Sequence, residues 1–342
     1  MRISGKTFLI ASSTTFLHSD RNSAKGFSVT MFWATLKLLA LKLYFNLKPL
    51  TYTFTKEMDM RTKIIFSEKC LNYGGWHIES PERVRKAYEI LKEKGYQFLT
   101  PEPATENAVL RVHDAEYVWN LKKGFVEDGD TPAYENIYEY AKLAAGGAIL
   151  AAKVNGFSLM RPPGHHVGVH GAALGALTRG FCYLNNIAIA VKHLDKPTLI
   201  LDIDGHHGNG TQEIFFKDPK ITFISLHRYP HYPGTGHSSE ANCLNFPLPF
   251  NCGEKVYLET LDSALSQVDM SKIEMVAVSA GFDTHMGDLA SLGLTEKAFR
   301  EIGRRIGKLK KATFFVLEGG YSGENIGRDI DQLLKGVEEN AP

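Results

Sequence analysis

Three side chains near the middle of the chain have the types and the spacing of a metal site. Asp202, Asp204 and His206 alternate directly after the apolar run 199–201. Because alternate side chains of an extended strand project to the same face, we expect these three to lie together where the strand ends. Carboxylate oxygens and an imidazole nitrogen are common ligands of divalent cations. Buried Asp and His at strand ends are also ordinary hydrogen-bonded core residues, so the stretch alone leaves both interpretations open.

Three further apolar runs are followed within a few residues by groups that could share this chemistry. The runs are 157–160, 275–280 and 314–317, and the groups that follow them are the adjacent His165 and His166, then Asp283, then Tyr321. In an open parallel sheet, ligands bind outside the carboxyl ends of the strands. The spacing therefore predicts one site assembled from four strand ends.

The elements that must position these groups alternate along the chain. The pattern predicts strands near 63–67, 157–161, 198–203, 221–226, 275–280 and 313–317, and helices over 137–154, 184–194, 254–267, 296–311 and 324–338. A further helix is expected to begin at Pro81, with Ser80 as its capping residue, and to end at Gly95. Such alternation predicts an α/β fold with an open, mainly parallel β-sheet flanked by helices on both faces.

Composition agrees with a single large catalytic domain over residues 60–342. The hydrophobic fraction of 44% suits a packed core, and a net charge of +1 without a concentrated basic face gives no indication of direct nucleic-acid binding. The four cysteines lack Cys-x-x-Cys spacing, which indicates a reducing, cytoplasmic setting. Outside residues 1–59 the net charge is −4, which suits a cationic substrate weakly.

Residues 1–59 differ in character from the rest and are expected to be a dispensable extension. The apolar stretch 31–46 is interrupted by Lys37 and Lys42, and it is shorter than the roughly 20 residues that cross a bilayer. It predicts no transmembrane span, and membrane-surface attachment is the alternative. A chain that begins at Met60 is therefore expected to fold and to retain activity. Insolubility or inactivity of that shortened protein, measured beside the full chain, would show that the extension is structural.

Six segments occur in the order found in one known family. They are RPPGHHV (161–167), GFCYLNN (180–186), DIDGHHGNGTQ (202–212), SLHRYP with YPGTG (225–236), AGFDTHMGD (280–288) and EGGY (318–321). Together they resemble the histone deacetylase and acetylpolyamine amidohydrolase superfamily, closer to its class II-like members, over roughly residues 62–335. Several independent motifs in a shared order make chance agreement negligible. The resemblance implies the arginase/deacetylase fold and a metal-dependent deacetylase that hydrolyses the amide of an N-acetylated amine.

The resemblance assigns a metal site and a set of catalytic residues. Asp204, His206 and Asp283 match the family's zinc ligands, and an oxygen-rich set of this kind also tolerates Fe²⁺, Mn²⁺ or Co²⁺. The matching catalytic residues are His166 as acid and base, His165 as electrostatic support, Asp202 as the partner that orients His165, Asn209 as the partner of His166, and Tyr321 as the oxyanion donor. Because Asn209 is an amide, His166 is expected to be less basic than in relatives that carry Asp there.

Substrate and potassium positions follow from the same resemblance. Phe181 and Tyr232 match aromatic walls of the substrate tunnel, and Gly180 matches a position where a side chain would narrow it. Asp130 aligns loosely with a rim aspartate that grips the substrate backbone. The potassium group implied by the family consists of Asp202, Asp204, His206, Ser225 and Leu226.

The chain departs from the family pattern at three places, one of which is the loose match at Asp130, and three alternatives are considered. Gly205 replaces a larger apolar residue and is expected to loosen the strand end, while the long segment 167–179 is expected to form a flexible rim. Arginase-like enzymes carry a further metal-binding Asp where this chain has Gly208, so a dinuclear site is not expected. A non-catalytic binding protein is the second alternative. Acetyl-lysine in proteins is the expected substrate, an acetylated polyamine is the third alternative, and the oligomeric state stays open.

Overall fold

A computed structural model describes residues 61–340, and the predicted extension 1–59 lies outside these described residues. The strands are β1 Ile64–Ile65, β2 Phe98–Leu99, β3 Phe157–Ser158, β4 Val167–Gly168, β5 Gly171–Ala172, β6 Thr198–Asp202, β7 Ile221–Arg228, β8 Cys243–Leu248, β9 Met275–Ala280 and β10 Ala312–Leu317. The α-helices are α1 Pro81–Glu93, α2 Glu106–Leu110, α3 Ala115–Lys123, α4 Ile137–Val154, α5 Asn186–Leu194, α6 Asn209–Phe215, α7 Gly253–Ser266, α8 Glu296–Lys308 and α9 Gly323–Glu338. Two 3-10 helices span Glu68–Leu71 and Met270–Lys272.

Within the described residues, eight strands form one open sheet in the order β2-β1-β3-β10-β9-β6-β7-β8. Every pairing in this sheet is parallel. Central strand β9 pairs with β10 on one side and with β6 on the other, so the carboxyl ends of these three strands meet at one edge. Strands β4 and β5 form a separate antiparallel hairpin above that edge.

Helices cover both faces of the sheet, because its inner strands are apolar on both sides. In β10, Phe315 and Leu317 pack with helices α1, α7, α8 and α9, whereas Phe314 and Val316 pack into the opposite cluster with helices α2 to α6. This alternation follows from the two-residue period of a strand. Strands buried on both faces appear in the sequence as continuous apolar runs, which is the pattern that predicted them.

The predicted architecture is confirmed, and the predicted strands and long helices correspond to observed elements. The sequence pattern missed β2, β8, the β4–β5 hairpin and the short helices α2, α3 and α6. Most of these elements are short and carry few periodic positions, and the six-residue β8 contains Asn245 and Pro247, which interrupt its apolar pattern. Helix α1 begins at Pro81 with Ser80 at the N-cap position, as expected, but the Ser80 side chain makes no capping hydrogen bond.

No helix in the span 61–340 combines the length and apolar character needed to cross a membrane.

Candidate active site

The loops that follow β3, β6, β9 and β10 converge at one edge of the sheet. The sheet register places Asp202, the last residue of β6, beside Ser279 of β9 and Ser225 of β7. The residues just beyond these positions therefore share a small volume, and many of them are fully buried. The predicted meeting of the four strand ends is observed.

The three expected ligands lie together in this volume. One potential ligand atom each of Asp204, His206 and Asp283 lies within 4.8 Å of the others. His206 Nδ1 is 2.7 Å from an oxygen of Asp283 and 3.2 Å from an oxygen of Asp204. No other group of three or more His, Cys, Asp or Glu side chains within residues 61–340 has this arrangement.

The hydrogen bonds around the two carboxylates fit a bound cation. Gly205 N donates to Asp283 Oδ1 at 2.8 Å, and Gly319 N donates to Asp204 Oδ2 at 2.7 Å, so backbone groups fix both side chains. The second oxygen of Asp283 is buried and makes no hydrogen bond, although it faces His206 Nδ1. A buried carboxylate oxygen without a hydrogen-bond donor is costly unless a cation binds it, so the donor set fits a divalent metal.

Two histidines beside this trio are oriented by specific partners. His165 Nδ1 donates to Asp202 Oδ2 at 2.9 Å, and His166 Nδ1 donates to Asn209 Oδ1 at 2.7 Å. Asn209 Nδ2 donates to Ala173 O at 2.9 Å, which turns the amide oxygen toward His166. Since Nδ1 of His166 therefore carries the proton, its Nε2 is left with a free lone pair.

The two histidines differ in charge because their surroundings differ. Burial disfavours the charged form of His165, but the carboxylates of Asp202 and Asp204 outweigh it and raise the pKa of His165 to about 10. Burial, reinforced by neighbouring His165 and His206, lowers the pKa of His166 well below its ordinary value. An amide partner supplies no opposing charge, so His166 stays neutral and the lone pair of its Nε2 remains available to accept a proton.

Glu318 is a residue of the site for which no role was predicted from the sequence. Its buried carboxylate accepts hydrogen bonds from Gly164 N at 2.7 Å and from His165 N at 3.1 Å. Burial raises the pKa of Glu318 to about 7. This carboxylate joins the turn after β10 to the loop that carries the two histidines. Its place in the Glu-Gly-Gly-Tyr segment was the available indication.

A cavity of about 230 Å³ opens above the trio. Its lining residues are Asp130, His166, Gly180, Phe181, His206, His231, Tyr232, Leu289 and Tyr321. Seven of these were expected, whereas His231 and Leu289 were not. His231 lies in the motif segment between two prolines, which could have indicated it, but nothing in the local pattern marks Leu289 as a lining residue.

Aromatic rings form most of the cavity wall. The Tyr232 ring lies edge-on to His166 at a centroid distance of 5.0 Å, and the Phe181 ring lies edge-on to Tyr321 at 5.9 Å. Such walls are complementary to the methylene chain of an extended amine.

Glycine is required at position 180, where the cavity wall packs against the His166 ring. Its φ of +53° lies in the left-handed region, and an added Cβ would lie 2.4 Å from His166 Cδ2. The Gly180→Ala variant is therefore expected to lower kcat/KM by about 10²-fold, because the side chain displaces His166. Steady-state kinetics on the metal-loaded protein measures the effect.

Gly124→Ala is the matched control for this variant. Gly124 has a φ of +76°, but an added Cβ would meet nothing within 4 Å. It therefore carries backbone strain without the clash, and its kcat/KM is expected to remain at the wild-type value. Equal losses in the two variants would contradict the role given to Gly180.

Asp130 lies at the rim with both carboxylate oxygens already engaged. Thr131 Oγ1 donates to Oδ1 at 2.8 Å, and Thr178 Oγ1 donates to Oδ2 at 2.5 Å. Asp128 supports this turn by accepting hydrogen bonds from the backbone N–H groups of Asp130 and Thr131. The two hydroxyl groups fix the direction in which Asp130 presents its remaining lone pairs.

The packing corrects the effect expected of Gly205 and shows which groups support segment 167–179. Gly205 does not loosen the strand end, because its N–H binds Asp283 and an added Cβ would lie 2.2 Å from the Ala290 Cβ. Segment 167–179 is not an unsupported rim. It contains the β4–β5 hairpin, and the Glu213 carboxylate accepts hydrogen bonds from two of its backbone N–H groups.

A second metal site of the arginase kind has no room here. A Cβ at Gly208 would lie 2.1 Å from Asp202 Oδ2 and 3.3 Å from His165 Nδ1. The space that the side chain of an additional Asp at position 208 would need is therefore occupied by Asp202, which orients His165. This agrees with the expectation of a single ion.

Members of the expected potassium group are neighbours in the sheet. Ser225 of β7 is paired with Asp202 of β6, and Leu226 follows Ser225. Ser225 Oγ lies 2.9 Å from His227 Nδ1 and is fully buried. The potassium assignment itself stays a prediction.

Comparison with known proteins gives one family. Residues 77–337 match the histone deacetylase domain. A probable deacetylase of Archaeoglobus fulgidus is 39% identical over 302 residues, which cover 78% of this chain and 82% of that protein. The solved HD domain of HDA15 has a TM-score of 0.75 at 30% identity, with 82% of this chain and 90% of that chain covered. The acetylpolyamine aminohydrolase of Burkholderia pseudomallei has a TM-score of 0.76 at 25% identity, with 82% and 100% covered. This chain therefore belongs to the histone deacetylase family.

Proposed function

We propose that this protein is a zinc-dependent deacetylase that hydrolyses the acetyl amide of lysine side chains in proteins. The observation that carries the proposal is the convergence, on one aromatic-walled cavity, of His166 with a free Nε2, the His206 side of the ligand trio, and Tyr321. Metal-assisted amide hydrolysis requires these components together. A non-catalytic binding protein would have no need to retain all of them.

Asp204, His206 and Asp283 would hold the cation. A divalent ion bound there would supply Lewis acidity to the substrate carbonyl and to water. Zinc suits two oxygens and one nitrogen with an open position, and Fe²⁺, Mn²⁺ and Co²⁺ are compatible with the same set.

His166 moves the proton in this mechanism. Its Nε2 faces the cavity unprotonated, so it can take a proton from the attacking water and then deliver it to the leaving amine nitrogen. Asn209 fixes the tautomer in which this is feasible. His165, whose pKa is raised by Asp202 and Asp204, adds positive charge beside the developing oxyanion.

Tyr321 completes the site as a hydrogen-bond donor. Burial raises the pKa of Tyr321 well above its ordinary value, so its hydroxyl keeps its proton. A protonated phenol at the cavity wall can donate to the substrate oxygen and strengthen that hydrogen bond as the charge develops.

The cavity supports a protein lysine more than a free polyamine. Among the described lining residues, Asp130 carries the only carboxylate, and both of its oxygens already accept hydroxyl groups. A polyamine carries one or more further ammonium groups, and a single carboxylate that already accepts two hydroxyl groups gives them little to pair with. The rim instead presents apolar side chains. Leu289 lines the cavity, and Trp76, which is 77% exposed, lies beside His77, whose ring contacts Phe181.

Two further assignments belong to this proposal. A potassium ion would bind the backbone oxygens of Asp202, Asp204, His206 and Leu226 together with Ser225. The protein would act in a reducing, cytoplasmic compartment, which is supported by four free cysteines, Cys70, Cys182, Cys243 and Cys252.

A side-by-side assay tests the proposed function. Acetyl-lysine peptides and acetylated polyamines are offered at equal concentration to the zinc-loaded, chelator-treated and zinc-restored protein. We expect faster turnover of the peptides, loss of turnover with chelator, and recovery on adding zinc. Preference for the polyamine would overturn the substrate assignment, and chelator-resistant turnover would overturn the metal-dependent mechanism.

A further inference from the structure

A cluster of three buried charged side chains lies beneath the active site. Glu79, Arg83 and Arg161 are exposed by 3%, 1% and 0% respectively. Both arginines bind the Glu79 carboxylate. Arg83 Nη1 donates to Oε1 at 2.8 Å. Arg161 donates from Nε to Oε1 at 2.8 Å and from Nη2 to Oε2 at 2.7 Å. Buried charges of this kind are expensive to maintain, which calls for a reason beyond core packing.

Arg83 connects the cluster to the turn that carries Tyr321. Its Nε donates to Gly320 O at 2.6 Å, and its Nη2 donates to Glu318 O. Its guanidinium carbon lies 5.0 Å from the centroid of the Tyr321 ring. Two donor groups of the planar guanidinium, Nε and Nη2, therefore fix the backbone on the amino-terminal side of the tyrosine, and the guanidinium also packs against the tyrosine ring.

Arg161 connects the same carboxylate to the loop that carries the two histidines. It is the first residue of the Arg-Pro-Pro-Gly-His-His segment, and its Nη1 donates to Cys70 O and to Tyr73 O, both at 2.9 Å. Its guanidinium carbon lies 3.7 Å from the centroid of the Tyr73 ring. The Glu79 carboxylate therefore helps to position this loop and at the same time binds Arg83.

We propose that Glu79 is a positioning residue that sets the distance between Tyr321 and His166. This inference rests on the proposed function, because it concerns the alignment of the oxyanion donor with the proton carrier. Glu79 acts through two guanidinium groups: that of Arg83 in helix α1, which binds the turn carrying Tyr321, and that of Arg161, which lies on the loop carrying the histidines. Glu79 itself does not line the cavity. Rigid placement matters here because a small displacement of a catalytic group costs turnover without a matching loss of substrate binding.

The conservative variant Arg83→Lys tests the proposal without removing charge. A lysine ammonium can pair with Glu79 but cannot span that carboxylate and both carbonyl oxygens. We expect kcat to fall by about 10²-fold, while KM and the bound metal per chain stay at the wild-type value. Tyr96→Phe is the control, because it removes another buried hydrogen bond, from Tyr96 to Asp331, remote from both loops. It should leave kcat unchanged.

A double-mutant cycle separates positioning of Tyr321 from general destabilisation. If Arg83→Lys acts by displacing the tyrosine hydroxyl, it should have no further effect on kcat in a Tyr321→Phe background. Multiplicative losses, or an unchanged kcat in the single variant, would overturn the inference. Glu79→Gln is measured in the same way, and failure of both variants to fold where Tyr96→Phe folds would assign the cluster to stability alone.

The cycle also distinguishes failure of this inference from failure of the proposed function. Tyr321→Phe alone reports on the oxyanion donor. If its turnover equals that of the wild type, the donor assignment is refuted irrespective of how Arg83→Lys behaves.

Discussion

Replacing Asp283 with alanine is expected to abolish stoichiometric metal binding and, with it, turnover. The change leaves only Asp204 and His206 as ligands and removes the buried oxygen that makes no hydrogen bond in the protein. Loss of a mere supporting hydrogen bond commonly costs roughly 10–100-fold in metal affinity, so loss of a ligand is expected to cost more. Metal content per chain after dialysis, measured by atomic emission together with the deacetylation rate, checks this result.

The control is a buried aspartate outside the ligand group. Asp331 is 2% exposed and accepts hydrogen bonds from Tyr96 and Lys335. Asp331→Asn is expected to lose some stability and to keep its metal. One ion per chain in folded Asp283→Ala would contradict the ligand assignment.

Tyr321→Phe is expected to lower kcat by about two to three orders of magnitude while the metal content stays intact. The variant removes one hydroxyl group from the cavity wall and leaves the ring to pack against Phe181 and Arg83. Because the lost hydrogen bond strengthens mainly in the transition state, KM should change little. Single-turnover and steady-state rates on the metal-loaded protein measure the effect.

Tyr257→Phe is the corresponding control. The Tyr257 side chain is fully buried, and its hydroxyl group has no hydrogen-bond partner. Its removal should leave the rate unchanged. Wild-type turnover in Tyr321→Phe would exclude this residue as the oxyanion donor.

The two variants are informative as a pair because they separate metal binding from stabilisation of the oxyanion. Asp283→Ala should lose metal and activity together, whereas Tyr321→Phe should lose activity alone. A protein that only binds acylated chains has no turnover, so neither substitution would lower it. The pair therefore also tests the non-catalytic alternative.

Several residues of the site were predictable because each follows an apolar run that is visible in the local sequence. Strand β6 ends at Asp202, however, so the turn beyond the strand, and not the strand period, places Asp204 and His206 beside Asp283. Apolar runs longer than a few residues likewise predicted the central strands and the long helices. Very short elements such as β2 and α2 were missed because their formation depends on neighbouring strands and helices rather than on their own sequence.

The amino-acid sequence by itself determined the fold class and the family, because both follow from local patterns and their order, and it predicted Asp204, His206 and Asp283 as metal ligands. Four features were decided only by the tertiary structure. They are the Glu79 carboxylate shared by two arginines, the Glu318 carboxylate that binds the histidine loop, the close packing of Gly205 against Ala290, and the hydroxyl groups that bind Asp130. Each joins segments that are far apart in the chain. Contacts of that kind are set by the packing of the whole domain, in which most buried polar groups are paired, and no local periodicity encodes which partner each of them has.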